Sequence, residues 1–460
     1  MPVDPDIVPL LDALEQRFGD RLNITNDRLE ALSGTLKALG DVDAATAASL
    51  ININRRLDSL DAQIAQLETP VSQGGKGGAG IVVAPSNASP AIKAKADVVL
   101  TGTGDAAKIN LITDPVQLVP GVYLLEQPLL IEGRGGSVVG FDYGTVLMKA
   151  ATFTNAGRGT TPALIKIADT PAGNETAALQ IRDLFLVGRF RANYGKGSPS
   201  GSPVAGVWVD ITGEGHNDPA VYGYPVGGPD GSDNWSSITR VRVFDTTTGI
   251  YVTSTAGARG FEFSDIGIST LQNGGAGLHV AASDARIDRV STTAGNASNA
   301  AGFRIAGGNA QMGHCKAFYF RQPGSVGFDL TSSRTTASLL EAQDNLVGIR
   351  MSGTNQQITA RIDNQIAGMA TGLDLTSASH FKVDGIVQTR SPGTYATGVA
   401  LADNTTSGLL DLYVDASAIT NAVTKAGAPV TASSQLPVNI ETRITVRRTN
   451  GVGTLRRQLP

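Results

Sequence analysis

The sequence predicts a mainly β chain: a β-solenoid carried behind an N-terminal α-helical coiled coil. Three observations predict it. Apolar residues hold one heptad frame from Val8 to Leu67, and a glycine followed by apolar-polar-apolar residues recurs from Gly249 to Gly398. Glycine reaches 55 of 460 residues while only 17% are charged and 5% aromatic, a composition of short strands and turns rather than of a helical enzyme.

The heptad comes first along the chain. Its a positions include Leu22, Leu29, Leu36, Leu50, Leu57 and Ile64, and its d positions include Leu32, Leu39, Ile53, Leu60 and Leu67. The runs before and after Gly40-Asp41 share one phase. A 3.5-residue apolar repeat needs partner helices, because one helix cannot bury that seam alone. The competing arrangement is a helical hairpin that breaks at Gly40. Mixed Leu and Ile at a and d leave the strand number open, and Asp43 and Thr46 loosen the seam locally. Residues 1–69 are therefore expected to oligomerise and attach. Residues 70–95 are expected to be a linker, since Gln73-Gly74-Gly75-Lys76-Gly77-Gly78-Ala79-Gly80 holds neither helix nor strand.

The solenoid follows over 96–442. Its strand signatures begin at Gly249, Gly277, Gly302, Gly327, Gly348, Gly372 and Gly398, at spacings of 28, 25, 25, 21, 24 and 26 residues. Gly206-Val-Trp-Val is an earlier copy, and Gly260-Phe-Glu-Phe falls half a repeat out of step. Alternating strands such as Ile238-Thr-Arg-Val-Arg-Val lie between the copies. Two or three short strands per repeat, without helical period, exclude helical repeats and predict one continuous stacked core. The glycines are expected to supply a positive φ or a tight corner. Ten or so rungs at strand spacing amount to roughly 50 Å. Residues 443–460, with Asn450-Gly between two Arg-rich runs, read as a closing hairpin.

Ahead of the repeats, Gly104-Asp-Ala-Ala-Lys-Ile-Asn110 is followed by Pro120-Gly-Val-Tyr123 and by Ser137-Val-Val-Gly together with Thr145-Val-Leu147. This order, within a cap at 102–147, resembles the opening of right-handed parallel β-helices of the pectate-lyase-like superfamily, as found in bacteriophage tail spikes. Its departure is a short cap helix, cut at Thr113-Asp-Pro115. The resemblance implies a right-handed parallel β-helix. With the coiled coil and the glycine joint, the whole order resembles a trimeric tail fibre or tail spike.

Composition narrows the function. Thirty-seven Lys and Arg against 41 Asp and Glu disfavour nucleic acid, and a single cysteine, Cys315, excludes a disulfide framework or a thiolate zinc site. No secretory signal or membrane span is expected, and no metal or other cofactor. The superfamily includes polysaccharide hydrolases and lyases, so carboxyl pairs matter. Glu262 with Asp265, Asp284 with Asp288, and Glu341 with Asp344 are the candidates, none in a distinctive motif. The insertion at 189–236 is the stronger candidate for ligand contact. It holds Tyr194, Trp208, Tyr222, Tyr224 and Trp235 with Arg189, Arg191 and His216, and aromatic faces suit sugar rings. Trp208 lies in a repeat strand, where packing or subunit contact competes with ligand contact. Asp230-Gly-Ser-Asp-Asn234 is a turn lacking the remainder of a calcium loop.

The expected function is host-surface attachment by a virion tail fibre or spike. A homotrimer, assembled in the host cytoplasm, would hold a bacterial surface glycan or receptor without catalysis, and its N-terminal segment would meet tail or baseplate proteins. A polysaccharide depolymerase and a purely structural virion fibre are the alternatives.

Overall fold

The computed structural model describes residues 80–132, 137–141, 144–157, 159–168, 179–191, 198–211, 236–254, 260–390, 393–403, 407–448 and 451–458. The heptad positions from Leu22 to Leu67 lie outside them. So do Tyr194, Tyr222, Tyr224 and Trp235.

From Ala205 to Arg448 the described residues wind through nine rungs, each a short strand followed by a long one. Short strands pair in parallel with the short strands of neighbouring rungs, and long with long, building the two sheets of a parallel β-helix. The Gly-apolar-polar-apolar signature is the short strand. Its first apolar position forms one inner column, running from Val207 through Ile250, Leu278, Phe303 and Phe328 to Val423. Phe303 and Phe328 stack with centroids 4.7 Å apart. The out-of-step copy at Gly260 opens a long strand, Glu262–Leu271. Period-two alternation sends Ile238, Phe263, Ile287 and Met312 inward on the long sheet.

The repeat glycines carry a correction. Those from Gly206 to Gly398 do not have positive φ. They are required because the next rung's backbone crowds them: a Cβ on Gly249, Gly277 or Gly302 would lie 2.5, 2.6 or 2.4 Å from the carbonyl oxygen of the following glycine. Any side chain would push the rungs apart. Left-handed backbone appears instead at non-glycine residues in mid-strand. Asp183, Arg240, Asp265 and Arg289, one per rung, have φ of 61, 50, 56 and 50°. Each bends its long strand, at a cost of order 1 kcal/mol. Arg–Asp pairs between successive rungs line the bend. Arg240 donates to both Asp183 oxygens at 2.5 and 2.8 Å, and Arg289 to both Asp265 oxygens at 2.6 and 2.9 Å.

The leading end is closed by motif residues. The helix Asp105–Asn110 buries Ala106 and Ile109 over the first rungs. The Asp105 carboxylate accepts from the amides of Thr101 and Gly102, and burial raises its pKa. The Asn110 side chain donates to Pro128 O and accepts from Leu130 N, both at 2.9 Å, so the helix is tied to the strand Leu129–Glu132. The Tyr123 hydroxyl reaches the carbonyl oxygens of Val83 and Val119 in the interior. A second correction concerns the expected linker. Ile81–Ala84 is a strand paired in parallel with Val116–Leu118, so residues 80–95 belong to the β-helix. Val83 and Ala84 are fully buried there, which a two-sided glycine spacer would not allow. At the far end, Ile440–Arg448 continues the long sheet in parallel, and Gly451–Arg457 returns antiparallel upon it.

Candidate functional site

Alternation along the long strands sends two columns outward where Leu186, Val243 and Ile268 point in. One column runs Phe185, Arg242, Gly267, Ser291, Lys316, and the other Phe244, Ser269, Thr293, Phe318. Large residues stand at both ends and small ones between. The result is a depression of about 450 Å³ on the outer face, walled by Phe185 and Phe244 on one side and Phe318 on the other. Its floor is Gly267, Ser269, Ser291 and Thr293. Phe244 and Phe318 are three rungs apart, roughly 14 Å at strand spacing, room for a short oligosaccharide.

Cations frame this floor. Arg242 lines it and is held by donation to Asp265 O at 3.1 Å. The Arg191 guanidinium lies 4.9 Å from the Phe244 ring centroid, and Lys316 Nζ lies 5.8 Å from that of Phe318. No carboxylate is among the described lining residues. The described surface therefore offers aromatic faces, hydroxyls and positive charge, groups that suit the faces and hydroxyls of sugar rings.

The candidate acids are not gathered into one site. Glu262 and Asp288 line a separate, smaller depression of about 220 Å³ with Arg286 and Gln311. Asp265 is held by Arg289, whose hydrogen bonds keep its carboxyl below the usual carboxylate range. A general acid needs the opposite shift. Arg289 also contacts Asp288. Asp284 accepts from Asn309 Nδ2 at 2.6 Å, a tie between corners of neighbouring rungs. Glu341 is flanked by His314, Lys316 and Arg361 at 3.7 to 3.8 Å, whereas Asp344 is buried at a corner and accepts from Gln365 N. Among the described residues no group of three or more His, Cys, Asp or Glu side chains could hold a metal ion.

Trp208 is corrected as a ligand platform. It faces outward from the short strand Ala205–Asp210, yet only 4% of it is exposed. Ala163, Ala168, Ala205 and Tyr251 pack against it, Lys166 Nζ lies 5.5 Å from its ring centroid, and the Gly159 loop closes over it. The ring is packing, because a loop too close for any side chain at Gly159 covers it. Cys315 is fully buried, and burial pushes its thiol up to about 12, while adjacent His314 faces outward toward Glu341.

Phe185, Phe244 and Phe318 were not foreseen. Their signal, an aromatic at an outward position of an alternating strand, is present in Arg242-Val-Phe244 and Lys316-Ala-Phe318. Assembling them requires the register across three rungs.

No family model and no curated protein matches the chain. Solved structures similar to it include the enzymatically active domain of tailspike protein 2 of bacteriophage CBA120. Identity is 12% and the TM-score 0.46, over 74% of this chain and 53% of that one. The full-length tailspike protein 2 from an Escherichia coli O157:H7 bacteriophage gives 13% and 0.42, over 72% and 45%. The A-module of a mannuronan C-5 epimerase from Azotobacter vinelandii gives 14% and 0.39, over 73% and 90%. The chain spans about half the length of the two tailspike structures. At these identities no residue's role is carried across to this chain.

Proposed function

We propose that this chain is a tail fibre or tail spike of a virion and attaches it to a host-surface glycan without cleaving it. The observation that supports this reading best is the depression between Phe244 and Phe318, aromatic at both walls, hydroxylated on its floor and free of carboxylates among its described lining residues. Rigid rungs hold those walls at fixed separation, so a glycan binds without an ordering cost to the protein. The heptad of residues 1–69 would supply a homotrimer and the attachment to tail or baseplate proteins. Three weak sites on one particle-bound assembly would act through effective concentration rather than single-site affinity.

The test is calorimetric titration of the full chain with purified host-surface polysaccharide fragments. Phe244→Ala and Phe318→Ala each weaken binding about tenfold, the loss of one stacked aromatic face, with the melting temperature little changed. Undiminished binding in both variants would remove the groove from the function. A depolymerase reading draws on Glu262 and Asp288 lining one depression. Release of reducing ends from the same polysaccharide, abolished by Glu262→Gln, would establish it in place of plain adhesion.

A further inference from the structure

Beside the aromatic depression the long strands end in a corner where positive charge is in excess. Lys149 closes the strand Thr145–Lys149 and is 7% exposed. Its ammonium lies 5.7 Å from the Phe153 ring centroid and has neither a carboxylate nor a hydrogen-bond acceptor among the described residues. Arg189 and Arg191 converge on a single carboxylate, that of Asp245, each at 2.9 Å. The Nε of both arginines is buried with no acceptor. Among the described residues this corner thus holds three cations and one anion, which only the two arginines contact. Burying such a surplus is costly, and a corner that served packing alone would carry apolar residues or a second acid. Burial, with Arg189 beside it, lowers the pKa of Lys149. The arginine side chains keep 20 and 19% of their surface, so the corner is open on one side. It is also continuous with the depression, since Arg191 stacks on Phe244.

We propose that Lys149, Arg189 and Arg191 form an oxyanion subsite for the carboxylate or sulfate group of an acidic glycan whose neighbouring ring lies against Phe244. This deepens the adhesion reading and rests on it for the glycan. The subsite specifies an acidic polysaccharide, uronate-bearing or sulfated, over a neutral one. The Lys149 ammonium and the exposed edges of the two guanidinium groups supply charge-assisted hydrogen bonds, and the bound anion offsets the surplus charge.

The experiment uses the full chain with three probes at matched ionic strength: oligogalacturonate, neutral malto-oligosaccharide and inorganic sulfate. Thermal unfolding and calorimetric titration are read for wild type, Lys149→Met, Lys149→Arg and Phe244→Ala. Lys149→Met removes a largely buried charge that has no carboxylate among the described residues and keeps an apolar chain against Phe153, so without ligand it melts no lower than wild type. Oligogalacturonate binds wild type, Lys149→Met weakens that binding about tenfold or more, and Lys149→Arg restores most of it. Sulfate raises the melting temperature of wild type more than that of Lys149→Met. Equal oligogalacturonate affinity in wild type and Lys149→Met, or no binding of either anion, overturns the subsite. If Phe244→Ala loses the neutral probe while Lys149→Met is silent toward the acidic one, the groove stands and the subsite falls. If sulfate discriminates Lys149→Met while Phe244→Ala leaves every saccharide unaffected, the oxyanion subsite stands and the glycan reading falls.

Discussion

At the scale of the residue, the glycine ladder and His279 make opposite demands on their surroundings. A methyl group at Gly302 would lie 2.4 Å from the carbonyl oxygen of Gly327, whereas one at Gly453 would meet nothing within 4 Å. Gly302→Ala is therefore expected to cost about 2 kcal/mol, the usual penalty of forcing atoms into a filled interior, and Gly453→Ala close to nothing, as read by urea unfolding. His279 sits in the outward column of the short sheet, edge-on to Tyr251 at 4.6 Å between ring centroids and next to Arg304. Burial, reinforced by Arg304, lowers its imidazole pKa from 6.5 to about 4. The unfolded chain then takes up this proton at higher pH than the folded one. Stability from this site is complete above pH 6.5, falls as pH drops toward 4, and levels off below. The expected loss is about 1–3 kcal/mol across that window. His279→Phe keeps a ring against Tyr251 and removes that share of the slope, so melting curves of the two proteins should diverge between pH 6.5 and 4.

At the scale of the element, the short strands were legible in the sequence and the long ones only in outline. The short-strand signature recurs because each repeat glycine faces the next rung's carbonyl oxygen, a constraint that admits one residue type and so leaves a visible period. The bend of the long strand imposes left-handed backbone on Asp183, Arg240, Asp265 and Arg289, which are not glycines and keep no common identity. Their positions, and hence which outward side chains adjoin, cannot be read by eye. Phe244 and Phe318 are 74 residues apart and meet across one groove only when three rungs are in register, whereas the Tyr and Trp residues of 189–236 are clustered in the sequence itself. The cap was the most readable element, because Asn110 and Tyr123 each satisfy backbone groups at a buried end. Asn110→Ala leaves Pro128 O and Leu130 N without their partners. It is expected to destabilise the leading rungs by about 2 kcal/mol, seen as faster amide exchange confined to residues 81–132.

At the scale of the whole molecule, the described residues from Gly80 onward form one compact unit. A chain lacking 1–79 is therefore expected to retain the β-sheet far-ultraviolet spectrum and to sediment as a monomer, while the full chain sediments as a trimer. Its single-site glycan affinity should match that of the full chain, and its retention on glycan-coated surfaces should fall by orders of magnitude. A full chain that sediments as a monomer would end the avidity argument. Stacking by whole rungs has one more consequence. Neighbouring rungs in the middle of the ladder repeat the same inward apolar alternation, so excision of a span from one repeat glycine to the next is expected to leave a ladder that re-joins. Excising the span that carries Ser269 would bring Phe244 and Phe318 closer by one strand spacing, about 4.8 Å. The saccharide length this surface accepts would then change in discrete steps, like notches on a calliper, and evolution could reset it by recombination at the glycines without redesigning the interior.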